Sequence, residues 1–256
     1  MMFDATLASI LLPAMAAGLV VLSTHVPLGQ EVLRRGIIFI DLAVAQIAAF
    51  GVLLAMLLEW DSPLAIQLTA ISMALLGGLI LSWTERRWPQ EQEAIIGVSF
   101  ILAASAGILL LANNPHGGEH LKDLLAGQIL WVEWPQIAMT ALVYTLLLLI
   151  WYSARQRIGR IGFYLLFAIN VTLSVQLVGI YLVFATLILP SLATVRTPAG
   201  RRLLYGYLMG AMSFVAGLTI SWLFDLPSGV VVTWMLAIFA LLFRLFERQS
   251  RLSNAP

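Results

Sequence analysis

Apolar stretches close to membrane-spanning length alternate with short polar segments along the whole chain. Spans are predicted at 7–24, 36–58, 64–83, 94–112, 137–152, 161–176, 178–192, 203–224 and 229–246, most of them near the roughly 20 residues that a membrane helix needs. The pair at 161–176 and 178–192 is short for two independent crossings. It reads either as two spans hinged at Gly179 or as one broken element, which leaves eight or nine helices. Polar Asn170, Thr172, Ser174 and Gln176 gather at this break, and a discontinuous helix is tolerated where it faces protein or a watery path. The alternative is a tight hairpin with polar residues at a helix interface. The fold class is all-α and polytopic, with one membrane domain over residues 1–256.

Charge placement orients these spans. The arginines cluster as Arg34/Arg35, Arg86/Arg87, Arg155/Arg157/Arg160, Arg196/Arg201/Arg202 and Arg244/Arg248/Arg251, and the boundaries between them carry none. Arginine-rich boundaries lie on the cytoplasmic side. All five groups share one side if nine segments cross and the N-terminus is outside. The first span has no positively charged segment before it, so it is expected to stay in the mature protein rather than act as a secretory signal.

Composition narrows the chemistry. Apolar residues make up 61% of the chain and charged residues 11%, with a formal net charge of +1. No basic face or arm suggests nucleic acid as a partner. The absence of cysteine removes thiolate ligands and nucleophiles, so any metal would meet His, Asp, Glu, Asn or Gln. No Gly-Lys pair occurs, and therefore no Walker A loop.

Asp41, in GIIFIDLAVAQIAAFG, is the acid placed inside an apolar span. A carboxylate there is costly and generally faces a pathway or a partner. Val44, Ala45 and Ala48 share its helical face, whereas Gln46 points elsewhere. The competing expectation is an ion pair with Arg34 or Arg35. Asp41, Ala45, Gln46, Asn170 and Gln176 are the candidate pathway positions. His25 is read as interfacial, at the cytoplasmic end of the first span. The hydrophilic segment NNPHGGEHLKDLLAGQILWVEWP is expected outside, where His116, Glu119, His120 and Asp123 form a possible metal-collecting cluster or a solvated loop that touches a partner. Trp131 and Trp134 are expected as interfacial anchors.

The segment VGIYLVFATLILPSLATVRTPAGRR reads as a helix leaving the bilayer at Leu189-Pro190, a structured cytoplasmic loop, and a helix returning. Pro190, Ser191, Thr194, Arg196, Arg201 and Arg202 in that loop are the candidate contact surface for a motor subunit.

Five blocks resemble the permease subunit of bacterial zinc/manganese/iron ABC importers, the ABC-3 family. EVLRRGIIFIDLAVAQIAAFG is similar to the family's Arg-Arg stretch followed by Gly-Asp-Ala-Leu-(Ser/Ala)-His-Ala. QEAIIGVSFILAASAGILLLA resembles its Glu-Ala-Ile-Gly span, and DLLAGQIL its Leu-Leu-Phe-Gly-Asp-Ile-Leu element. VGIYLVFATLILPSLATVR resembles its Val-Gly-Val-Leu-Leu-Val-X-Ala-Leu-Leu-Ile-Pro-Ala-Ala-Thr-Ala-Arg signature, and LFDLPSGVVV its Tyr-X-X-Asp-X-Pro-(Ser/Thr)-Gly element. The resemblance implies a type II ABC importer-like permease in the inner membrane. It implies no cofactor or nucleotide site on this chain, two permease copies (identical or related), a cytosolic ATPase that binds ATP, and an external metal-binding protein.

Two departures qualify that picture. The family follows its Asp by His four positions on, where this chain has Ala45, and the family's Gly-Asp-Ile carboxylate is Gln128 here. Only Asp41 carries over as an intramembrane ligand. An ABC permease for a metal chelate is the runner-up. A stand-alone secondary transporter would need more intramembrane acids or an internal repeat, and an intramembrane enzyme would need a second catalytic group level with Asp41.

Overall fold

Leucine-, alanine- and isoleucine-rich runs satisfy their own backbone as helices, as a bilayer requires. The computed structural model describes the backbone at residues 5–60, 62–111, 129–154 and 157–253, and side chains within 10–247 of those. Among these residues the elements are α1 Ala5–Arg35, α2 Ile40–Leu57, α3 Pro63–Arg87, α4 Gln92–Leu111, α5 Trp134–Ser153, α6 Arg160–Val178, α7 Ile180–Ala193, α8 Ala199–Phe224 and α9 Ser228–Ser253, with a 3-10 turn at Ile129–Trp131 before α5. Eight are long and apolar enough to cross a membrane, and α7 is a shorter apolar helix.

The ends follow local chemistry. Pro63 and Pro135 sit in the first turns of α3 and α5, where a missing N–H costs nothing. Arg34 and Arg35 close α1, and Arg86 and Arg87 close α3, so positive charge meets the negative helix ends. Gly36, at φ +71°, turns the chain from α1 into α2.

The first span runs further than predicted. The sequence places its end at Thr24, but α1 continues through Pro27 to Arg35. Proline removes one intrahelical bond, the one its N–H would make to the carbonyl of Ser23. Here that carbonyl accepts instead from the Tyr207 hydroxyl of α8, at 2.9 Å. The helix therefore continues, and Thr24 and His25 turn inward, both buried.

The doubtful region is a hairpin. Gly179, at φ +80° and ψ 162°, ends α6 and begins α7, a conformation that favours glycine. A continuous helix would hold Ser174 and Thr186 about 18 Å apart, yet both hydroxyls bond one imidazole ring. The chain therefore reverses at Gly179. With α7 counted as a return, the described arginines at the ends of α1 and α3, before α6, between α7 and α8, and late in α9 fall on one side, as the positive-inside reading expects.

α2 packs on α3 and α4, and α3 on α6. α1 packs on α7 and α8, and α9 on α7 and α8, while α5 leans on α1. Most of α1, α2 and α6 is enclosed, whereas α4 is largely exposed. Glycines permit the closest approaches. A Cβ on Gly29 would stand 2.0 Å from the Leu187 carbonyl oxygen, so α1 and α7 touch backbone to backbone there.

Candidate functional site

The enclosed helices bring polar side chains into one layer. His25 of α1 places Nδ1 2.7 Å from Thr186 Oγ1 of α7 and Nε2 2.8 Å from Ser174 Oγ of α6. The Tyr144 hydroxyl of α5 donates to the Asn170 carbonyl at 2.9 Å and also meets Ser174 Oγ. Asn170 Nδ2 donates to Thr24 Oγ1 at 2.7 Å. Both hydroxyls also have carbonyl acceptors on their own helices: Thr186 Oγ1 donates to Leu182 and Val183 at 2.8 Å and 2.9 Å, and Ser174 Oγ to Asn170 at 2.9 Å. The tautomer of His25 sets which ring nitrogen donates and which accepts.

Depth follows from helix rise. His25 lies ten residues inside the Arg35 end of α1, Asn170 ten beyond Arg160, and Tyr144 nine before Ser153. Each is thus about 14 to 15 Å from its cytoplasmic end, near the middle of a roughly 30 Å apolar core. The interfacial reading of His25 is corrected: it is fully buried at mid-membrane and ties four helices together. Asn170 belongs to this layer as well, and its Oδ1 has no partner. Gln176 is half-buried nearer the Gly179 turn and stands apart from the layer.

His25→Ala should lower stability, because it strips a buried bonding partner from two hydroxyls that must then rely on local carbonyls. A loss of about 2 kcal/mol is expected, seen as a lower melting temperature in detergent. Gln176→Ala should leave that temperature unchanged.

Asp41 occupies a different level. It stands in the first turn of α2, at the cytoplasmic end, fully buried with neither carboxylate oxygen bonded. The alternative pairing with Arg34 or Arg35 is not adopted. Glu31 takes both guanidinium groups, Arg34 through two contacts and Arg35 Nε at 2.8 Å, and Arg35 also lies 4.2 Å over the Phe163 ring. Val44, Ala45 and Ala48 are buried on the Asp41 face as expected, and Gln46 is buried on another. Ala45 has no exposed surface, so a His there would overpack by about 1 to 3 kcal/mol. Glu93, which begins the family-like Glu-Ala-Ile block, joins Asp41 at this level, with Oε1 accepting the Phe39 N–H at 3.1 Å.

The motor-contact segment is more helical than predicted. α7 runs through Pro190 to Ala193, and Arg201 and Arg202 already belong to the first turn of α8. Proline near a helix end removes only one bond, so the apolar run does not stop there. The six candidates divide. Pro190, Ser191 and Thr194 face inward, with Ser191 Oγ donating to the Val26 carbonyl at 3.3 Å. Arg196 and Arg201 face outward. Arg202 Nε donates to the Thr197 carbonyl at 2.6 Å and holds the turn. His116, Glu119, His120, Asp123 and Gln128 lie outside the described residues. Among the described residues no three His, Asp or Glu side chains converge as a metal cluster. Trp131 and Trp134 are exposed at the entry to α5, consistent with anchoring.

Eight apolar helices of membrane-spanning length, packed around a buried polar layer, define a multi-pass membrane protein. The chain belongs to the ABC 3 transport family, whose model matches residues 2–161 and 155–247. It is similar to the high-affinity zinc uptake system membrane protein ZnuB of Haemophilus influenzae, 22% identical over 261 residues, covering 94% of this chain and 98% of that protein. Its fold matches a chain of PsaBC from Streptococcus pneumoniae solved with a Fab, with TM-score 0.73 and 22% identity over 94% of this chain and 91% of that one. It also matches an inward-facing metal-chelate type ABC transporter, with TM-score 0.70 and 18% identity over 95% and 89%. The expected type of permease fold is thereby found.

Proposed function

We propose that this chain is the membrane-spanning permease subunit of an ATP-binding cassette importer for divalent metal ions, zinc or manganese and, less centrally, iron, in the plasma membrane. A separate cytosolic ATPase binds the nucleotide, an extracytoplasmic binding protein delivers the metal, and a second permease copy, identical or related, completes the pathway. The chain itself is a transport subunit and not an enzyme. The observation that carries this reading is a fully buried, unbonded Asp41 in a chain that matches the ABC 3 family along nearly its whole length. Such a carboxylate is expensive to keep without a positive partner, and a transported cation supplies one. The binding direction is supported by the zinc uptake protein among its relatives.

The first test is purification of the chain from its native membrane in mild detergent. A co-purifying ATPase with a Walker A loop is expected. A chain that purifies alone, under conditions that preserve other complexes, would favour a secondary transporter. A metal chelate is the second reading, favoured by Ala45 at the position of the family's His. Uptake of the chelated metal but not the free ion would select it.

A further inference from the structure

A cavity of about 470 Å³ opens where α1, α5 and the start of α8 meet, on the cytoplasmic side of the bundle. Gln30, Arg34, Trp151, Tyr152, Ala199 and Arg202 border it. Most of the polar groups around it are donors. Arg34 gives Nε and one terminal nitrogen to Glu31, and its side chain is still 68% exposed. Arg202 spends Nε on the Thr197 carbonyl. The Gln30 amide nitrogen has no bonding partner among the described residues. α8 begins at Ala199, after Pro198, with no side-chain cap and no acid in its first turn, so its first N–H groups add partial positive charge. The bordering acid, Glu31, is already shared by Arg34 and Arg35, which leaves positive charge in excess.

We propose that this cavity binds the phosphate of an anionic phospholipid of the cytoplasmic leaflet.

The donor set fits an anion, and guanidinium groups suit phosphate oxygens in particular. Depth and the neighbouring surface favour a lipid over a soluble anion. Gln30 stands five residues inside the Arg35 end of α1, about 7.5 Å from it. Tyr152 is the next-to-last residue of α5, and Arg202 the fourth of α8. The donors therefore span the headgroup level of the bilayer, where basic pockets between helices take anionic headgroups and where Trp and Tyr gather. Further into the membrane the surface turns apolar. Leu149, one turn from Tyr152, is 60% exposed, and Val20 and Ser23 of α1 are half-buried. α5 and α8 both flank α1 and hardly pack on each other, so acyl chains can lie against α1 between them. A phosphate seated on Arg202 and the start of α8 also braces the turn between α7 and α8. That consequence for the motor contact rests on the importer reading; the lipid site itself does not.

The test is native mass spectrometry of the delipidated full-length chain in detergent, counting only the charge states of the folded protein. Phosphatidylglycerol, phosphatidylcholine or glycerol phosphate is added at equal concentration. Phosphatidylglycerol should be retained at least about fivefold better than phosphatidylcholine, and glycerol phosphate should not be retained. Arg34→Gln should weaken phosphatidylglycerol about fivefold, with Arg35 still holding Glu31. Ala199→Trp fills the cavity from an exposed position and keeps every charge; it should weaken binding as much or more. Arg86→Gln, at an exposed arginine of the same membrane face outside the cavity, should change nothing. Undiminished lipid retention in either cavity variant would overturn the site. Glycerol phosphate retained as well as the lipid would overturn the lipid assignment. Loss of the lipid on adding the ATPase would give the cavity to that partner and overturn the proposal too.

Discussion

Asp41→Ala is expected to abolish uptake while the protein becomes no less stable. The two effects separate because no other side chain holds the carboxylate. Neither of its oxygens is bonded, and its burial is complete. Removing a buried carboxyl group that no side chain holds relieves a desolvation cost, whereas breaking a structural ion pair adds one. A residue kept at such a cost is the kind that serves function at the expense of stability. The checks are metal uptake in reconstituted vesicles and the melting temperature of the same preparation. A fall of at least a hundredfold in uptake with an equal or higher melting temperature is the expected pair of results. Wild-type uptake in this variant would remove Asp41 from the pathway. A fall in melting temperature would mean that the carboxylate has a structural partner after all.

Much of the fold was legible because the bilayer imposes strong rules on sequence. Apolar run length located every helix, arginine placement oriented them, and Gly179 marked the reversal between α6 and α7. What misled was reading polar residues as exits. Thr24 and His25 looked like the end of a span, yet they are the inward face of a longer helix whose Pro27 gap is filled by Tyr207. Pro190 looked like a stop for the same reason. A polar residue inside an apolar run either leaves the membrane or finds partners on other helices, and only three dimensions decide between these. His25 could have been placed by counting back from Arg34 and Arg35, since ten residues of helix set it about 15 Å deep. Its partners Ser174 and Thr186 could not, because they meet it only after the chain reverses. Asp41 was recognisable from its span, whereas Glu93 was hidden at a helix start, where an acid is ordinary.

Reversing the charge of Arg196 and Arg201 should break the link to the ATPase. The turn between α7 and α8 is pinned from inside: Thr194 and Thr197 are buried, Thr197 N–H donates to the Thr194 carbonyl at 3.0 Å, and Arg202 holds the Thr197 carbonyl. Changing Arg202 would loosen the turn itself and confuse folding with coupling. Arg196 and Arg201 instead project from its outer side, together with Leu192 and Val195, which are 45% and 39% exposed. Beside the turn lies a cavity of about 470 Å³ bordered by Gln30, Glu31, Arg34, Trp151, Ser191 and Arg202, so α1 and the turn present one continuous cytoplasmic surface. Placing like charges across an interface costs several kcal/mol. Arg196→Glu with Arg201→Glu should therefore reduce co-purified ATPase at least tenfold and remove transport-linked ATP hydrolysis. Arg202→Gln alone should lower the melting temperature of the permease as well. Normal substrate-stimulated hydrolysis in the double variant would move the contact surface away from this turn.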